Sequence, residues 1–134
     1  LSNKKYDFSP TSQKRLGECD ARLQTLFCAV IRHVDCTIIT GRRNQQAQNE
    51  MVRTGRSGLM YPQSMHNSFP ARAVDVAPYP IDWQDRERAT LFAGFVIGMG
   101  MQMGMQLRWG GDWDGDWQVR DNNFDDLWHF ELVD

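Results

Sequence analysis

Cysteine is scarce in this chain. The three present, Cys19, Cys28 and Cys36, are an odd number clustered near the beginning, and no Cys-x-x-Cys pair occurs. That pattern argues against a disulfide framework and a thiolate metal site, and leaves small core-facing thiols in a reducing compartment as the expectation. Long hydrophobic runs are missing too. The longest apolar stretch, Ala89 to Met101, is shorter than a bilayer span and is broken by glycines, so no stable membrane insertion is expected. An excess of basic residues is also absent: 15 Lys and Arg against 17 Asp and Glu give a net charge of −2. Nucleic-acid modules usually carry a basic face, so no nucleic-acid partner is expected. The opening residues, Leu-Ser-Asn-Lys-Lys-Tyr, contain no apolar core of a signal peptide, and the expectation is synthesis in the cytoplasm without one. No internal repeat or low-complexity segment is visible.

What is present fits one globular domain over residues 1–134, with 41% hydrophobic and 24% charged residues. Ser9-Pro10 reads as an N-cap followed by proline at the first helical position. Leu16, Cys19, Leu23, Leu26, Phe27, Val30 and Val34 then recur at three- and four-residue steps, predicting one long amphipathic helix. His33 falls near its C-terminal end as a surface or capping residue. Cys36 to Thr40 is a β-branched strand ended by Gly41, and Asn44 caps a helix through Met51. A loop over Thr54 to Gln63 precedes a second strand, Arg72 to Ala77. Asp82, with Asp85 three residues on, approximates a capping box for a helix through Met103. That helix has Ala89, Phe92, Phe95, Val96 and Met99 on its apolar face, glycines for close packing on a sheet, and Met99, Met101, Met103 and Met105 as core filler. Strands over Met105 to Trp109 and Trp128 to Val133 flank a long loop dense in Gly, Asp and Trp. The order predicts an α+β domain with a small, mainly antiparallel sheet.

Three residues far apart in sequence carry the chemistry. His66 lies in a segment rich in Ser, Asn and Pro, and Asp75 interrupts the apolar run Ala73-Val74-Asp75-Val76-Ala77. A carboxylate there needs a partner, such as a metal, Arg43 or Arg72. His129 lies in the last strand. Two imidazoles and a carboxylate are the protein ligands of many catalytic zinc sites, which keep a fourth position open. Asp126, three residues before His129, is placed to sit beside such a metal and exchange a proton with water, with Asp125 as its competitor.

These residues fall into motifs. Ser64-Met65-His66, Ala73-Val74-Asp75 and Asp126-Leu127-Trp128-His129-Phe130 resemble those of zinc D,D- and L,D-peptidases of the VanY and D-alanyl-D-alanine carboxypeptidase type. Gly41-Arg42-Arg43 with Gln48, Phe8-Ser9, and Trp109-Gly110-Gly111-Asp112-Trp113 resemble the phage endolysin branch that cleaves L-alanyl-D-glutamate bonds. The resemblance covers nearly the whole chain and implies the hedgehog and D-Ala-D-Ala-peptidase fold. It implies zinc on His66, Asp75 and His129, Asp126 as general base and acid, and Arg43 as the oxyanion-stabilising cation. Ser64 would orient His66 or the substrate, and Gln48 would also lie at the substrate. The chain departs from many relatives in having nine rather than seven residues from His66 to Asp75, and Asp rather than Glu at position 126.

The implied substrate is the peptidoglycan stem peptide, reached in the cell wall by a monomeric enzyme without a separate wall-binding domain. Two other readings stay open: a carboxypeptidase or dipeptidase acting on the D-Ala end, and a non-catalytic zinc-stabilised binding module. Trp83 and Trp113 are candidates to line the substrate groove, with aromatic packing as the alternative. Asp112, Asp114 and Asp116 alternate in a glycine-containing loop, as in hard-cation sites, but lack the EF-hand glycine and terminal glutamate; calcium or a solvated acidic loop both fit.

Overall fold

A computed structural model describes residues 6–134; Leu1 to Lys5, most of the polar opening segment, lie outside them. The elements run α1 (Pro10–Gly17), α2 (Ala21–Val30), β1 (Cys36–Thr40), α3 (Gln45–Arg53), β2 (Ala73–Pro78), α4 (Arg86–Gln102), β3 (Leu107–Gly110) and β4 (Asp126–Leu132). The four strands form one antiparallel sheet in the order β1-β2-β4-β3. The fold is α+β.

The long first helix expected from periodicity is two helices. Ser9 caps α1 by accepting from the Ser12 amide, and Pro10 opens it. The chain then leaves helical geometry at Glu18 and Cys19 because their backbone is engaged elsewhere: Ala71 donates to the Glu18 carbonyl, and the Asp20 amide donates to the Ala71 carbonyl. Asp20 recaps the chain through the Arg22 amide to start α2. Leu16, Cys19, Leu23, Leu26, Phe27 and Val30 are nonetheless all buried, so the apolar stripe survives the break.

Period-two alternation sorts the strands. In β4, Phe130 and Leu132 belong to the core, while His129 and Glu131 lie on the opposite face. In β2, Val74 and Val76 enter the same core and Asp75 projects the other way. Phe27 of α2 and Phe92 of α4 meet the Phe130 ring edge-on at 5.7 and 6.2 Å, tying both helices to the sheet.

Helix α4 starts later than expected. Asp85, not Asp82, is its cap, accepting from the Arg88 amide, while Asp82 accepts from the Gln84 amide in the preceding turn. Its glycines do not all serve packing: Gly94 and Gly98 are exposed with open space where a Cβ would stand, and Gly100 alone of the three is approached, by Leu107 and Met105. Met101 and Met103 are exposed rather than core filler, whereas Met99 and Met105 pack partly against the core. Cys28 is exposed, unlike the buried Cys19 and Cys36, and all three are free thiols. His33 is exposed past the end of α2, edge-on to Phe95. No helix among the described residues is long and apolar enough to cross a membrane.

Candidate metal centre

The sheet brings two of the three predicted ligands side by side. Asp75 and His129 are directly paired between β2 and β4, on the face away from the helical core. His66 arrives from the loop between α3 and β2. That loop is held at several points: the Ser64 hydroxyl accepts from the His66 amide, Asn67 accepts from the Ser64 amide, and the Arg72 amide donates to the Met65 carbonyl. Between His66 and Asp75, Ala71 pairs with the break between α1 and α2.

His66 Nε2 lies 3.3 Å from His129 Nδ1 and 3.3 Å from Asp75 Oδ1, and His129 Nδ1 lies 3.1 Å from Asp75 Oδ1. The other ring nitrogen of each histidine has its own partner. His66 Nδ1 is 2.8 Å from the Gly41 carbonyl, and His129 Nε2 is 2.7 Å from Glu131 Oε1. A carbonyl and a carboxylate can only accept, so those nitrogens carry the protons, and a neutral ring then turns a lone pair toward the centre. Two lone pairs and a carboxylate oxygen facing one point are the donor set of a divalent cation. A tetrahedral zinc with bonds of about 2.0–2.1 Å would separate its ligands by about 3.3–3.4 Å, close to the triangle observed. The residues present fit the metal.

Electrostatics agree with this arrangement. In the metal-free protein, where a proton stands in for the cation between these groups, Asp75 is held well below the usual carboxylate range: burial opposes ionisation, but hydrogen bonding to His129 and His66 outweighs it. Burial pulls the His129 pKa down, yet Asp75 and Glu131 lift it to about 9 in the metal-free protein. Asp126, 48% exposed at its side chain, reaches to 3.9 Å from His129 Nδ1, and desolvation, then the Asp75 charge, raises its pKa. Asp125 is engaged elsewhere, in an ion pair with Arg86 and a hydrogen bond from Asn122. Gly110 lets the Asp126 backbone sit where it does, and Gly111 makes room for the Trp109 ring. A Cβ on Gly110 would fall 2.0 Å from the Asp126 carbonyl oxygen, and one on Gly111 would strike the Trp109 ring.

Arg43 borders the same centre, with Nη2 4.0 Å from Asp75 Oδ2 and Nη1 donating to Gln48 Oε1 at 2.9 Å. Its burial lowers the guanidinium pKa, against the pull of Asp75 and Asp126. Arg72 pairs with Asp134 instead. Gln48, expected at the substrate, is fully enclosed: its oxygen takes Arg43 and Asn67, and its nitrogen donates to Ser57 and the Leu59 carbonyl. Such a residue can hold Arg43 but has no free atom for a ligand.

Trp113 packs its ring 5.5 Å from that of His129 and also against Phe124, forming a wall of the centre. Trp83 is half exposed and meets Trp128 edge-on at 5.4 Å. Asp112, Asp114 and Asp116 gather elsewhere in the β3–β4 loop. Asp112 and Asp114 there accept from backbone amides of Asp116 and Trp117, as a turn of this composition does.

Sequence reasoning missed Glu131 and Asn67. Glu131 was signalled by its position two residues from His129 on one strand, which places both side chains on one face. Asn67 has no comparable sequence signal, because its role depends on how the loop folds back on Arg43 and Gln48.

A family model described as phage L-alanyl-D-glutamate peptidase matches residues 4–133. Among solved structures, the chain is similar to the Serratia marcescens L-Ala D-Glu endopeptidase ChiX, with 25% identity and a TM-score of 0.76 over 95% of this chain and 90% of that one. No match is found among curated proteins.

Proposed function

Because this chain belongs to the phage L-alanyl-D-glutamate peptidase family, we propose that it hydrolyses the L-Ala–D-Glu bond of the peptidoglycan stem using a zinc ion held by His66, Asp75 and His129. The observation that carries the reading is the triangle of ligand atoms at 3.1–3.3 Å, each histidine oriented by its second nitrogen. Zinc there would supply Lewis acidity toward a carbonyl oxygen and toward water.

The protein's own groups divide the remaining work. Asp126, beside the centre and open to solvent on one side, takes a proton from the attacking water and returns it to the departing amine of D-Glu. The C–N bond breaks as the oxygen of water joins the L-Ala carbonyl carbon. A pKa raised by desolvation and by Asp75 makes the carboxylate a better acceptor for the proton of water. Arg43 stays cationic beside Asp75 and stabilises the oxyanion, with Gln48 holding its guanidinium and Asn67 its backbone carbonyl. Trp113 shields His129 and forms a wall against which the substrate can lie.

Digestion of purified sacculi with zinc-loaded protein tests this, with products resolved by mass spectrometry. Glycan strands retaining only L-Ala on the lactyl group, and peptides beginning with D-Glu, are the expected products. Release of D-Ala with the L-Ala–D-Glu link intact would assign the enzyme to the other end of the stem. Absence of any cleavage by zinc-loaded protein would favour a non-catalytic module.

A further inference from the structure

We propose that Glu131, clamped by Arg108, is the positioning residue that fixes His129 as an Nδ1 ligand. This inference rests on the metal reading above. His129 and Glu131 are two residues apart on β4, so the pleat puts both side chains on one face. Arg108 of β3 is the direct cross-strand partner of Glu131. Glu131 spends one oxygen on each neighbour: Oε1 lies 2.7 Å from His129 Nε2, and Oε2 lies 3.2 Å from Arg108 Nη1. The carboxylate is about one-tenth exposed at its side chain, so water competes little for these bonds.

The consequence for the metal follows from tautomer chemistry. With Nε2–H committed to Glu131, neutral His129 has its lone pair on Nδ1, the nitrogen 3.1 Å from Asp75 Oδ1 and 3.3 Å from His66 Nε2. Without Glu131, the proton can sit on Nδ1 and be donated to Asp75, blocking the ligand position. The ring would also lose its rotational restraint. His66 has a counterpart in the Gly41 carbonyl, but that partner is neutral backbone. A carboxylate acceptor makes His129 the more strongly donating of the two imidazoles. Arg108 keeps the Glu131 carboxylate from rotating and ties the centre to the sheet's edge strand.

The test compares wild type with Glu131→Leu, Glu131→Gln and Arg108→Ala. Zinc affinity is read by chelator competition, and the His129 ring by nitrogen–proton NMR of the zinc-loaded proteins. Loss of an outer partner of this kind weakens metal affinity about 10- to 100-fold, and that range is expected for Glu131→Leu. Glu131→Gln keeps an acceptor oxygen and should recover most of the loss, with Arg108→Ala falling nearer to wild type. A substitution that merely loosened the fold would not be rescued by glutamine in this way. Wild-type zinc should leave His129 protonated at Nε2. Wild-type affinity in a folded Glu131→Leu protein, or zinc on Nε2 of His129, would overturn the proposal while leaving the metal centre standing. Failure of the wild-type protein to bind zinc would overturn both.

Discussion

Removing the metal should make this protein's stability fall with rising pH across a range where the zinc-loaded protein holds steady. In the metal-free protein, burial acts against the His129 imidazolium, but hydrogen bonds to Asp75 and Glu131 raise its pKa from 6.5 to about 9. Below pH 6.5 the ring is protonated in both folded and unfolded chains, and the full stabilisation is present. Between 6.5 and 9 the unfolded chain gives up its proton while the folded one keeps it, so the advantage shrinks; above 9 it is gone. The difference corresponds to about 3 kcal/mol. In a domain of this size that amounts to a fall in Tm on the order of 10 °C. Zinc replaces the proton on Nδ1, so the loaded protein should lack this slope. Cys19 and Cys36 complicate the upper end, because burial lifts both thiols to about 12 and unfolding releases them to ionise near 9. That loss is common to both forms and cancels in the comparison. The assay is thermal unfolding of chelator-treated and zinc-loaded protein at intervals from pH 6 to 9. A Tm gap between the two forms that stays constant or narrows as pH rises would refute the reasoning.

Other expectations follow from the same geometry. Asp126→Ala should keep stoichiometric zinc yet lose about 10²- to 10⁴-fold in kcat, checked by metal analysis beside a muropeptide assay; normal turnover would remove Asp126 from the mechanism. Arg43→Ala should lower kcat about 10²- to 10³-fold, and Gln48→Ala should follow in the same direction to a smaller extent because it acts through Arg43. Gly41→Ala would drive a Cβ to 2.1 Å from the Arg15 carbonyl oxygen, so it should displace the carbonyl that holds His66 and weaken zinc affinity as well as stability, read by chelator competition and melting.

The grouping of Asp75 and His129 was legible in the sequence because each interrupts an apolar strand, whereas His66, in a polar loop, was marked only by the Ser64-Met65-His66 motif. The sheet pairing that joins the first two follows from antiparallel strands with one buried face. Other features depended on contacts between distant segments. The break between α1 and α2 is imposed by Ala71, over fifty residues away, and the apolar stripe reads identically with or without it. Gly94 and Gly98 look like packing glycines until the helix is rotated into place and they face solvent. Gln48 carries the polar chemistry of a substrate contact, and burial alone distinguishes it as a support for Arg43. The Asp82-to-Asp85 spacing suited a capping box, but the helix begins after Asp85 because that side chain, not Asp82, reaches the first-turn amide.

The most direct test is an anomalous diffraction experiment at the zinc edge on crystals of the zinc-loaded protein. One ion bonded at about 2.0–2.2 Å to His66 Nε2, His129 Nδ1 and an Asp75 carboxylate oxygen is the predicted result. An ion bound at the Asp112–Asp114–Asp116 loop with none among the two histidines and Asp75 would contradict it.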